Sequence, residues 1–133
     1  MTELPLTPIR ALVLDDVQES GELIASLLQG ETGFSVSLSH FAFGEGVRAV
    51  RRGEPDVVVL MADTLIGSDP VIAVEEIELA GPNAAIVVLS AGESVGARDF
   101  ILAGARDCLA PPYSREALVA SVRQVHHHES RRR

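Results

Sequence analysis

A chain of 133 residues, 47% of them apolar, fits one domain of ordinary size and can bury one core. The formal charge of −8 argues against a nucleic-acid surface on the body of the domain, and no apolar run nears the ~20 residues that span a bilayer. The first ten residues lack a signal peptide's apolar centre, and the single cysteine, Cys108, excludes an internal disulfide. The expectation is a soluble, cytoplasmic, single-domain protein with neither nucleic acid nor membrane as partner. All eleven basic residues are arginine, and the chain has no lysine.

Taken in order, β and α patterns alternate. Residues 9–14 read as a buried strand stopped by Asp15 and Asp16. Leu23, Ile24, Leu27 and Leu28 recur at helical spacing, with Gly30 as the stop. Residues 34–39 alternate apolar and polar side chains, which predicts a strand with one wetter face near the sheet edge. Val47 and Val50 mark a short helix ending at Gly53, and residues 56–62 hold the most apolar run, hence the central strand.

A helix after Pro70 carries Ala73, Val74 and Ile77, since proline favours the first helical position. Residues 84–90 predict a fourth strand, 95–103 a fourth helix stopped by Gly104, and 106–110 a short fifth strand. Ser114 can cap a last helix with Leu118, Val122 and Val125 inward. The core is thus expected over residues 9–125, with 126–133 as a tail or the start of a linker. His126 to His128 sit where that helix is expected to fray, so metal ligation there is the weaker reading, and Cys108 reads as core filler rather than a reactive thiol.

Five strands alternating with five helices predict a three-layer, doubly wound parallel sheet of flavodoxin-like type, strand order 2-1-3-4-5. Ligand sites in such sheets lie at the carboxyl ends of the strands, which singles out Asp15, Asp16, residues 61–63, Ser90 and residues 110–112.

Those positions carry a resemblance. Leu14-Asp15-Asp16 resembles the acidic, Mg²⁺-binding pair of response-regulator receiver domains (CheY-like) of two-component phosphorelays. Ser90, within Val-Leu-Ser-Ala, resembles their phosphate-contacting hydroxyl residue. The segment from Gly104 to Tyr113 resembles the stretch that usually ends in Lys-Pro-Phe. The likeness runs over roughly residues 9 to 125. Leu102 to Asp107 (Leu-Ala-Gly-Ala-Arg-Asp) is also similar to atypical receivers fused ahead of pilus-assembly ATPases.

The chain departs from the pattern at its reactive positions. Counting from Pro55-Asp56 places Met61 where the resemblance calls for the phosphoacceptor aspartate. Asp63, two residues on and on the same side of an extended strand, is the alternative acceptor. Pro111 stands at the lysine position, and Cys108 at the position of the aromatic switch residue. Met61 can neither take a phosphoryl group nor offer Mg²⁺ a hard oxygen, and Pro111 offers neither charge nor N–H. Asp15 and Asp16 are therefore expected to hold Mg²⁺ weakly at most, with no cofactor required. Their plainer reading is a solvated loop opening a helix.

Three readings follow. The first is a non-enzymatic pseudo-receiver, a phosphorylation-independent module whose signal passes through a protein partner or a fused output domain. The second is a phosphoacceptor using Asp63 with Mg²⁺. The third, a small-molecule binder, lacks the glycine-rich turn that would cradle a phosphate. The resemblance further implies a cis bond at Pro112. It also implies a possible homodimer through the fourth helix, fifth strand and fifth helix, where Arg98, Asp99, Arg106, Asp107, Arg115, Glu116 and Arg123 interleave both charges.

Overall fold

The computed structural model describes residues 7–93 and 95–132, with side chains described up to residue 129. Its strands are β1 (Ile9–Leu14), β2 (Phe34–Ser39), β3 (Val57–Met61), β4 (Ala85–Leu89) and β5 (Asp107–Leu109). The helices between and after them are α1 (Gln18–Gln29), α2 (Glu45–Gly53), α3 (Pro70–Ala80), α4 (Ala97–Ala103) and α5 (Arg115–Arg132). Short 3-10 turns at Ala42–Gly44 and Ala62–Thr64 follow β2 and β3. All strand pairs are parallel, in the order β2-β1-β3-β4-β5.

Strand periodicity divides the core into two slabs. Ala11, Val13, Val57, Val59, Met61, Val87 and Leu89 face α1 and α5, meeting Ile24, Leu28, Leu118, Val119, Val122 and Val125. Their neighbours Leu12, Leu14, Val58, Leu60, Ile86 and Val88 face the other way, onto Val50, Ala73, Val74, Ile77 and Phe100. Every residue of β3 and β4 is buried, which is why those strands read as unbroken apolar runs. Each buried valine or leucine contributes about 1.5–3 kcal/mol over its exposed state. β2, at one edge, is buried only at Phe34, and β5, at the other, is half-buried along all three residues.

β3 and β4 are each one residue shorter at either end than the sequence reading, and three other elements differ as well. α4 begins at Ala97, two residues later than expected, because Val95 and Gly96 are not helical. β5 is shortened to three residues. α5 continues to Arg132 instead of giving way to a tail at residue 126. An ion pair holds that extension: Arg106 Nε donates to Glu129 Oε1 at 2.8 Å, and Glu129 is buried. His126 to His128 are therefore helical, while the side chains of Arg131 to Arg133 lie outside the described residues. Among the described residues no helix is long and apolar enough to cross a membrane.

Candidate functional site

The strand order reverses between β1 and β3, and the carboxyl ends of these strands define the switch-point crevice. Asp15 and Asp16 end β1, and both are buried, at 1% and 9% exposure. This overturns the plainer expectation of a solvated loop. A buried carboxylate needs donors, and these two find six within the chain. Asp15 accepts from the Val17 N–H at 3.0 Å, from the Thr64 hydroxyl at 2.5 Å and from the Ser20 hydroxyl. Asp16 accepts three backbone N–H groups, from Phe41 (2.8 Å) and Ala42 (2.9 Å) on one oxygen and from Ile66 (2.9 Å) on the other. α1 closes tightly over this corner. A Cβ on Gly21 would lie 2.9 Å from Leu38 Cδ1 and 3.0 Å from Asp15 Cβ, so the helix needs glycine there to approach.

Met61 is the last residue of β3, paired with Leu89 of β4, and its side chain belongs to the slab facing α1 and α5. The chain then leaves the extended conformation for the Ala62–Thr64 turn. Asp63 consequently does not share Met61's side by strand alternation, and that part of the sequence reading is corrected. The turn lifts Asp63 to an exposed position from which its carboxylate reaches across to β4. Its Oδ1 accepts from the Ser90 hydroxyl at 2.9 Å and its Oδ2 from the Ala91 N–H at 2.7 Å. Ser90, buried at 5%, also accepts from the Gly92 N–H at 3.1 Å.

Across the crevice the peptide bond between Pro111 and Pro112 is cis, and Pro111 is exposed. Tyr113 follows, packed against the slab that contains Met61. Its hydroxyl is pushed up to about 12, first by burial, then by the Asp63 charge and by Cys108. The Cys108 thiol is raised too, by burial and then by Asp107 and Asp63. It sits in β5, half-buried rather than in the core interior.

Mg²⁺ is a hard cation that takes six oxygens, several of them as water, and is held by one or two carboxylates. Asp15 and Asp16 each accept three internal donors, against about four lone-pair sites on a carboxylate. Met61 contributes a thioether instead of a carboxylate. Among the described residues no three histidine, cysteine or acidic groups converge as a metal site.

The expected pairing surface is only partly assembled. Arg98, Asp99 and Glu116 are exposed. Arg106 is committed to Glu129, and Asp107 accepts from the Ser121 hydroxyl at 2.6 Å. Arg115 and Arg123 lie elsewhere, over the seam between α5 and α1. Arg115 Nε donates to the Leu27 carbonyl at 2.9 Å. Arg123 Nη2 donates to the Thr32 carbonyl at 3.1 Å, and its guanidinium sits 5.4 Å from the Phe34 ring centre. A pairing face that includes these two arginines is therefore corrected: their cations close the chain's own helix seam.

Sequence reasoning missed Val17, Ser20, Thr64, Phe41, Ala42 and Ile66 as partners of the acidic pair. Val17 and Thr64 each follow directly on an aspartate already singled out.

No family model and no curated protein matches the chain. Solved structures do. The chain superposes on NtrX from Brucella abortus with a TM-score of 0.82 and 23% identity, covering 94% of this chain and 28% of that one. A CheY-like response regulator receiver domain protein from Methanospirillum hungatei gives a TM-score of 0.83 at 16% identity, covering 95% and 99%. The response regulator domain of Thermotoga maritima CheB gives 0.73 at 19%, covering 90% and 97%. The chain spans under a third of NtrX but nearly all of the other two. The fold is that of receiver domains.

Proposed function

We propose that this domain is a receiver-fold signalling module that works without phosphorylation, passing its signal by protein contact instead of by chemistry. The receiver fold supports a role in two-component signalling. One observation carries the finer reading: the donors at the end of β4 are already engaged by a carboxylate of the same chain. Asp63 takes both the Ser90 hydroxyl and the Ala91 N–H. In the receiver resemblance, Ser90 stands at the phosphate-contacting position. The Asp63 carboxylate thus holds an anion against that hydroxyl permanently, as a phosphoryl group would transiently.

The surroundings agree. Phosphoryl transfer needs in-line positioning and neutralisation of three phosphoryl oxygens. Met61, Pro111 and the internally bonded Asp15 and Asp16 supply neither. The partner is a protein or a fused output domain, and the domain itself is not an enzyme.

A second reading rests on a different observation. Asp63 is exposed, and the Ser90 hydroxyl and Ala91 N–H lie where a phosphoryl group on it would need donors. Incubation with acetyl phosphate and Mg²⁺, followed by intact mass measurement, separates the two. The expected outcome is no added phosphoryl mass. A stoichiometric, Mg²⁺-dependent adduct that disappears in Asp63→Asn would establish the second reading and end the first.

A further inference from the structure

We infer that Phe43 anchors a docking surface for a basic, apolar segment of a partner protein. This holds whichever way Asp63 behaves, because it concerns a neighbouring surface.

Phe43 is 93% exposed, more than any other large apolar side chain described. It is also held at φ 59°, ψ 32°, in the left-handed region that bulky residues avoid. An exposed aromatic in a disfavoured backbone conformation gains nothing for folding on either count. Such strain persists only where the surroundings impose it. Here they do so from both sides. Asp16 grips the Phe41 and Ala42 N–H groups just before it. The Arg48 guanidinium donates to the Phe43 carbonyl at 3.1 Å just after it, and is itself steadied by Glu45 at 3.3 Å.

The same Asp16 carboxylate binds the Ile66 N–H, so the loops after β2 and β3 are tied to one point. Ile66 is 60% exposed, and Val17, the residue after Asp16, is 36% exposed. Three loops at the sheet's carboxyl edge thus each carry one exposed apolar side chain. Leu79 and Leu102 are exposed as well, but on regular helices that no such tether organises.

Charge selects the occupant. Segments 15–17, 40–44, 62–69 and 90–96 contain Asp15, Asp16, Asp63, Asp69 and Glu93 and no arginine or lysine, and the cation beside Phe43, Arg48, is paired with Glu45 at 3.3 Å. Of these, Asp63, Asp69 and Glu93 are exposed. A second copy docked face to face would set this acidic edge against itself, and an anionic lipid surface would meet the same repulsion. A partner carrying cations around an apolar centre meets none. The surface therefore fits a segment with lysine or arginine flanking apolar residues, Phe43 filling its central pocket.

The test uses two synthetic amphipathic helical peptides of equal length, one built from leucine and lysine, the other from leucine and glutamate. Amide chemical shifts and titration calorimetry follow binding to the full chain. The leucine–lysine peptide is expected to bind, to shift the amides around Phe43 and Ile66, and to weaken as salt rises. Phe43→Ser should cost about tenfold in affinity, the size of one anchoring side chain, while Leu102→Ser changes it less than about twofold. Phe43→Gly should lose the same affinity yet raise the unfolding midpoint, which separates a docking role from a folding role. Equal binding of the leucine–glutamate peptide, shifts centred on α3 and α4, or indifference to Phe43→Ser would each overturn the inference. So would Phe43-dependent binding to phosphatidylserine vesicles or Phe43-dependent self-association, since these name a different occupant.

Discussion

Asp16 and Asp63 are carboxylates at the same edge of one sheet, and their circumstances are opposite. Asp16 is 9% exposed and tied to three backbone N–H groups from two other loops. Asp63 is exposed and tied to one hydroxyl and one N–H at the end of a single strand. A carboxylate whose loss leaves three backbone donors unpaired costs more to remove than one that holds a hydroxyl and a single N–H.

The largest effect expected from that contrast is at Asp16. Asp16→Ala leaves the Phe41, Ala42 and Ile66 N–H groups without their acceptor and should cost roughly 3 kcal/mol or more in urea unfolding. A cost near that of an ordinary surface change would erase the distinction. At Asp63 the expected penalty is smaller. Asp63→Ala and Ser90→Ala should each cost about 1 kcal/mol, and the double variant less than their sum, since both remove the Ser90–Asp63 hydrogen bond. Full additivity would mean that the two residues are not coupled.

The smallest effect reports on the field around Asp63. The chain has one tyrosine and no tryptophan, so Tyr113 can be titrated by its own absorbance. Its folded value of about 12 exceeds the ordinary 10, so the folded state holds this proton more tightly than the unfolded chain does. The resulting stabilisation is complete below pH about 10 and is lost as pH rises from there towards about 12. Asp63→Asn removes the second-ranked cause and should lower the midpoint while leaving it above 10. An unmoved midpoint would leave burial as the whole explanation.

Much of this architecture could be read from the chain itself. Val57–Met61 and Ala85–Leu89 are apolar at every position because both their faces are covered, and Phe34–Ser39 alternates because it lies at an edge. Helix ends fared well where a local residue set them: Ser114 accepts from the Ala117 N–H at 3.1 Å, and Gly30 ends α1. The far end of α5 was misread because its hold is not local. Glu129 meets Arg106 across 23 residues, a pairing that no window of helical periodicity contains.

The site divides in the same way. Asp15, Asp16, Asp63 and Ser90 could be singled out because strand ends are where such sheets carry chemistry. What they bind could not, because the partners of Asp16 lie 25, 26 and 50 residues away and are backbone groups without side-chain identity. The turn at Ala62–Thr64 was equally hidden, and with it the reach of Asp63 towards β4. Counting alternation from Met61 presumed an extended chain where a tight turn intervenes.

Three amides that share one acceptor cannot be released one at a time without strain on the others. The Phe41, Ala42 and Ile66 N–H groups all end on Asp16, so they form one kinetic unit although their residues are far apart in the chain. In hydrogen exchange they should emerge at a common rate, set by withdrawal of a single carboxylate. The corner bearing Phe43 and Ile66 would then open as a hinged flap, with the rest of the sheet still closed.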